Sequence, residues 1–117
     1  MRAMDNSYFN ILGHATGRLL LKREGYGVDM EKVMDHAKAC GCFFEINASP
    51  DRLDLSDDHA RMAKERGIKI AINTDAHSTS ELDFMIAGVN QARRGWLEPS
   101  DVLNALPLDR LKKALRR

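Results

Sequence analysis

The sequence predicts an α/β fold: three consecutive parallel βα units followed by a helical tail. Two observations predict it. Short β-rich runs at residues 9–12, 42–47 and 69–74 are each followed by a loop and then by a helical pattern. That alternation implies crossover connections, and therefore a parallel sheet. In addition, His14, Asn47, Asp75 and His77 fall at or just beyond the C-terminal ends of the three runs. Parallel α/β folds build their sites along that edge. A segment of barrel wall and an open doubly wound layer both satisfy the pattern.

The helices follow from local signals. Asp29 caps a helix whose apolar residues Met30, Val33, Met34 and Ala37 repeat at i, i+3, i+4 and i+7, and Gly41 ends it. Ser56 caps the next, with Asp57 and Asp58 in its first turn and Gly67 at its close. A third opens at Ser80, carries Leu82, Met85, Ile86 and Val89 on one face, and stops at Gly95. Two short helices open around Pro99 and Pro107, with leucines 103, 106, 108, 111 and 115 expected to pack inward. A three-stranded sheet of this kind is expected to leave two unprotected edges and a half-covered face, and so to self-associate.

At 117 residues the chain is one domain at most. With 30% charged residues and a formal net charge of +1, disorder and a polybasic surface are excluded. Any nucleic-acid contact must then come from a local cluster. No apolar stretch is long enough to span a membrane and no signal-peptide pattern is present, so the expected location is cytoplasmic. Cys40 and Cys42 flank Gly41 alone; a disulfide between them would close almost no loop, and a zinc knuckle needs four ligands. Both read as reduced, packed thiols at a helix-to-strand junction.

Ile72-Asn73-Thr74-Asp75-Ala76-His77 carries the strongest chemical signal. Asp75 and His77 stand two apart on an extended strand end, so their side chains point to one side. A carboxylate and an imidazole so placed suit zinc or manganese. The plainer alternative is a turn-capping Asp and a packed His. His14 follows another strand between Gly13 and Gly17, and with Asp75 and His77 at equivalent positions the metal reading overtakes a structural one. Glu45 and Asn47 share one side of the middle strand, where they would support the ligands rather than bind metal themselves. Arg18 lies near the expected site and could hold a phosphate oxygen. Lys22, Arg23, Arg93 and Arg94 read as solvated surface, His36 as a solvated residue and His59 as a packed one. The acidic run Asp51, Asp54, Asp57 and Asp58 lacks the glycine and terminal glutamate of a calcium loop, and helix capping accounts for it better. No phosphate loop, dinucleotide fingerprint or hydrolase triad is found.

Together, Asn10-Ile11-Leu12-Gly13-His14-Ala15-Thr16-Gly17-Arg18-Leu19-Leu20, Glu45-Ile46-Asn47-Ala48, residues 72–79 and Ala92-Arg93-Arg94-Gly95-Trp96-Leu97 resemble the C-terminal PHP (polymerase and histidinol phosphatase) domain of bacterial and archaeal family X DNA polymerases. The stretches occur in order across nearly the whole chain. The resemblance implies a distorted seven-stranded TIM-like barrel with a trinuclear metal centre at its C-terminal mouth. Carried over by motif, His14, Asp75 and His77 are the metal ligands, for zinc or manganese. A water activated there would attack a phosphoester. The implied activity is that of a 3′-5′ exonuclease or 3′-end-processing repair nuclease acting on DNA. Ala15 stands where the family has proline. The family's N-terminal His-x-His and bridging glutamate have no counterpart, so residues 1–117 are expected to form a partial PHP domain, its last three βα units plus the tail. Such a piece should be inactive without the missing barrel half or a polymerase domain. A histidinol-phosphatase-like small-molecule phosphatase and a non-catalytic assembly module are the competing readings.

Overall fold

The computed structural model describes residues 1–115. It contains three parallel strands, β1 (Ile11–Leu12), β2 (Phe43–Asn47) and β3 (Ile70–Asn73), in the order β1-β2-β3. Four α-helices accompany them: α1 (Met30–Cys40), α2 (Asp57–Glu65), α3 (Met85–Arg94) and α4 (Leu108–Ala114). The strand order advances in one direction, without a reversal among the three. The expected α/β fold of parallel βα units is therefore present. The first strand is shorter than the expected residues 9–12, because only Ile11 and Leu12 pair with Phe43 and Phe44.

Local signals set the first two helices. The Asp29 carboxylate accepts from the Lys32 amide at 3.2 Å, and Gly41 ends α1 in the left-handed region at φ 69°. Met30, Met34 and Ala37 are buried. The Ser56 hydroxyl accepts from the His59 amide at 3.2 Å to open α2. Phe44 and Ile46 on β2 pair in register with Ile70 and Ile72 on β3, and all four lie buried against the helices. Alternation then turns Glu45 and Asn47 to the opposite face of the sheet.

The third helix departs from expectation. Residues 79–84 form a 3₁₀ segment and α3 begins only at Met85. The Ser78 and Ser80 hydroxyls bond each other at 3.0 Å instead of capping, and the Glu81 carboxylate takes the His77 amide at 2.7 Å. The face of α3 also differs. Gly88, Gln91 and Ala92 are buried, whereas Leu82, Ile86 and Val89 are exposed. A Cβ on Gly88 would lie 2.6 Å from Ala48 Cβ and Ile72 Cγ2, so the helix approaches the sheet too closely for a larger residue. The small face packs and the large apolar face turns outward.

The tail corrects the expectation of two open edges. Asn104 accepts from Ile72 N at 2.8 Å and donates to Ile72 O at 2.9 Å, and Val102 bridges Ile70. The outer edge of β3 is thereby occupied by a side-chain amide acting as a strand partner. The second face of the sheet is partly covered too. Leu103, Leu111 and Leu115 surround a cavity of 150 Å³ with Ile11 and Ala71. Leu103 is buried and Leu106 half-buried, but Leu108 is 66% exposed, because α4 meets the sheet one turn later. The segment at Pro99 is a 3₁₀ turn (Pro99–Asp101) rather than an α-helix. No helix among the described residues is long and apolar enough to cross a membrane.

Candidate metal centre

The chain leaves β3 at Asn73 and turns sharply: Asp75 has φ 55°. His14, just past β1, has φ 49°. Left-handed backbone at non-glycine residues is strained, and such strain concentrates at functional sites. Two of the three expected ligands carry it.

Asp75 is held from below and from the side. Asn47, only 1% exposed, donates its amide to Asp75 Oδ2 at 3.0 Å, and Arg52 Nε lies 3.7 Å from the same oxygen. Asn47 is itself fixed, since its Oδ1 accepts from Ser49 N at 3.0 Å and its backbone N–H donates to Asp54 O at 2.6 Å. His77 Nδ1 lies 2.6 Å from the Asp75 carbonyl. A ring nitrogen so close to a carbonyl must be the N–H donor, which leaves Nε2 with the lone pair. His77 is otherwise exposed. Carboxylate and imidazole are donor types that a divalent ion such as zinc or manganese accepts.

Asp75, His77, Arg52, Glu81 and Asp51 line a cleft of about 330 Å³. His14 is exposed and does not line that cleft. Among the described residues, His14, Asp75 and His77 do not bring their ligand atoms within 4.8 Å of one another. The structure thus joins Asp75 with His77 and leaves His14 apart. Glu45 sits between them: its Oε1 accepts from Asn73 Nδ2 at 2.9 Å, and its Oε2 lies 3.0 Å from where a Cβ on Gly13 would stand.

Arg18 is engaged differently from expectation. Its Nε donates to Arg52 O at 2.9 Å and its guanidinium also reaches Leu53 O, so it binds the loop carbonyls. The cationic side chain in the cleft is Arg52, which lies outside every motif of the sequence. Asp54, expected to cap a helix, is 1% exposed and its Oδ2 accepts from Thr16 N at 3.1 Å and Gly17 N at 3.0 Å. It ties down the loop that follows His14. No local pattern marks either residue, because each acts across a gap of more than twenty positions. His36, expected in solvent, pairs with Asp5 at 2.8 Å.

No family model matches the chain. Over 115 residues, 98% of its length, it is 42% identical to the DNA polymerase/3′-5′ exonuclease PolX of Bacillus subtilis. The chain thus resembles a segment of such a polymerase, as its motifs led one to expect. A probable phosphatase of a Thermoanaerobacter species is 31% identical to the chain over 110 residues, 89% of the chain's length. One from Caldanaerobacter subterraneus is 32% identical over 83 residues. The chain spans 20% of the Bacillus protein and 42% of the Thermoanaerobacter one.

Proposed function

We propose that this chain supplies part of the metal centre of a phosphoesterase that processes DNA 3′ ends, with His14, Asp75 and His77 as ligands for zinc or manganese. The observation that carries the proposal is the Asp75–His77 pair: a carboxylate buttressed by buried Asn47, and an imidazole whose Nδ1 is committed to the Asp75 carbonyl. A divalent ion bound there supplies Lewis acidity and a water of lowered pKa. Asn47 and Glu45 hold the ligand-bearing segments in place, and Arg52 faces the phosphate from the cleft wall. Arg18 acts through the loop carbonyls it binds.

Residues 1–117 read best as three βα units of a TIM-like barrel wall, a partial PHP domain completed by ligands from elsewhere in a longer polypeptide or a partner chain. With three ligands for a centre of several ions, the chain alone should be inactive. A cytoplasmic setting suits a DNA substrate. A small-molecule phosphatase is the second reading, favoured by the probable phosphatases among the relatives. The exposed row of Leu82, Ile86 and Val89 favours association with another surface, as an assembly role would require.

Manganese titration by calorimetry tests the ligand assignment. Wild type should bind manganese weakly, and His77→Ala and Asp75→Asn should each weaken binding by roughly ten-fold or more. Equal affinity in all three would sink the assignment. Co-expression with the remainder of a PHP domain should restore nucleotide release from a 3′ end, and Asp75→Asn should abolish it.

A further inference from the structure

At the opposite end of the sheet, three donor atoms of different chemistry converge. Asp5 closes the 3₁₀ turn Arg2–Asp5, ahead of β1; His36 and Cys40 are i, i+4 neighbours on the last turns of α1, ahead of β2. His36 Nε2 lies 2.8 Å from Asp5 Oδ1 and 3.5 Å from Cys40 Sγ, and Cys40 Sγ lies 3.7 Å from Asp5 Oδ1. Among the described residues this is the sole group of three or more such ligands whose donor atoms all lie within 4.8 Å of one another.

We infer that Asp5, His36 and Cys40 form a second divalent-metal site, of the zinc class, separate from the centre at Asp75 and His77. Tetrahedral zinc, with Zn–S of about 2.3 Å and Zn–N or Zn–O of about 2.0 Å, holds sulfur about 3.5 Å from its nitrogen and oxygen neighbours. The sulfur already stands at 3.5 and 3.7 Å from them. The nitrogen and oxygen, now hydrogen-bonded, need only part by about half an ångström. That movement falls on the exposed Asp5 carboxylate, while the neighbouring Met4 is 2% exposed and anchors the turn. Imidazole, carboxylate and thiolate together select zinc over the harder manganese and magnesium. Binding releases the thiol proton to solvent, requires neutral His36 to carry its hydrogen on Nδ1 so that the Nε2 lone pair faces the ion, and leaves one coordination position for water. The ion would fasten the N-terminal turn to α1.

Cobalt substitution in the full chain tests this directly, because the centre at Asp75 and His77 has no sulfur and the chain has only two cysteines. Stoichiometric cobalt should produce a thiolate-to-cobalt charge-transfer band that zinc displaces. Cys40→Ser should lose the band. His36→Gln, which keeps a hydrogen-bonding side chain on α1, should weaken cobalt binding by about 10- to 100-fold or more, since even outer partners of a ligand cost that much. The double variant Asp75→Asn/His77→Ala should keep the band unchanged. Absence of a charge-transfer band in wild type, or its survival in Cys40→Ser, would overturn the site. Loss of the band in the double variant would overturn its separateness.

Discussion

Replacing Asp54 with alanine should loosen the loop after His14 while leaving the sheet intact. Asp54 Oδ2 accepts from the amides of Thr16 and Gly17 inside the protein, and no strand pairing depends on that carboxylate. A hydrogen bond to a charged acceptor contributes about 1.5–3 kcal/mol. The two do not add in full, because Gly17 N also donates to His14 O at 3.1 Å and keeps that bond in the variant. Removing a buried carboxylate whose Oδ1 has no partner among the described residues returns part of the loss. The net local cost is then about 2 kcal/mol, or roughly a 30-fold fall in protection. Amide hydrogen exchange followed by NMR reads it residue by residue. Thr16 should lose about that factor, Gly17 less, and the β2 amides little. Asp54→Asn, which keeps one acceptor oxygen, should retain most of the protection. Unchanged exchange at Thr16 in Asp54→Ala would refute the idea that this carboxylate positions the loop.

Two further outcomes rest on the scaffold. Asn104→Ala should cost about 1–2 kcal/mol by removing both bonds to Ile72, and sedimentation should show the variant self-associating more than wild type. Equal behaviour of the two proteins would count against the edge-covering role. For Asp57, partial burial pushes the carboxyl up, but the Arg94 hydrogen bond and charge outweigh it and hold the group below its usual 3.8. A lowered folded value means the pair stabilises above 3.8 and loses its contribution as pH falls through the folded value. The stability difference between wild type and Arg94→Ala should therefore be at most about 1 kcal/mol at neutral pH and should vanish in strong acid. A difference constant across that range in urea melts would contradict it.

Much of this architecture was legible where the signal is local. Asp29, the apolar row after it and Gly41 lie within one segment, so α1 could be read from end to end, and Ser56 announced α2 in the same way. The start of α3 could not be read so well. Ser78, Ser80 and Glu81 look like helix-opening residues, but they spend their hydrogen bonds on one another and on His77. The face of α3 depends on how closely Gly88 approaches Ala48 and Ile72, a tertiary fact that overrides the periodicity of Leu82, Ile86 and Val89. At the site, Asp75 and His77 were expected on an extended strand end. The chain instead leaves β3 at Asn73 and Asp75 is left-handed, so a turn closed by His77 Nδ1 on the Asp75 carbonyl sets their placement. The separation of His14 from their cleft depends on a long loop held by Asp54 and Arg18, both bonded to partners more than thirty positions away.

The clasp of Asn104 on Ile72 has a consequence in time. The two residues are 32 positions apart, and at a synthesis rate of roughly 5–20 residues per second the second emerges roughly 2 to 6 s after the first. Through that interval Ile70-Ala71-Ile72-Asn73 can pair with β2 on one side while its other row of amides and carbonyls faces whatever is nearby. A polypeptide that pauses within residues 73–103 prolongs the interval in proportion. The nascent chain is thus open to mispairing along this edge from the emergence of β3 until Val102 and Asn104 follow it.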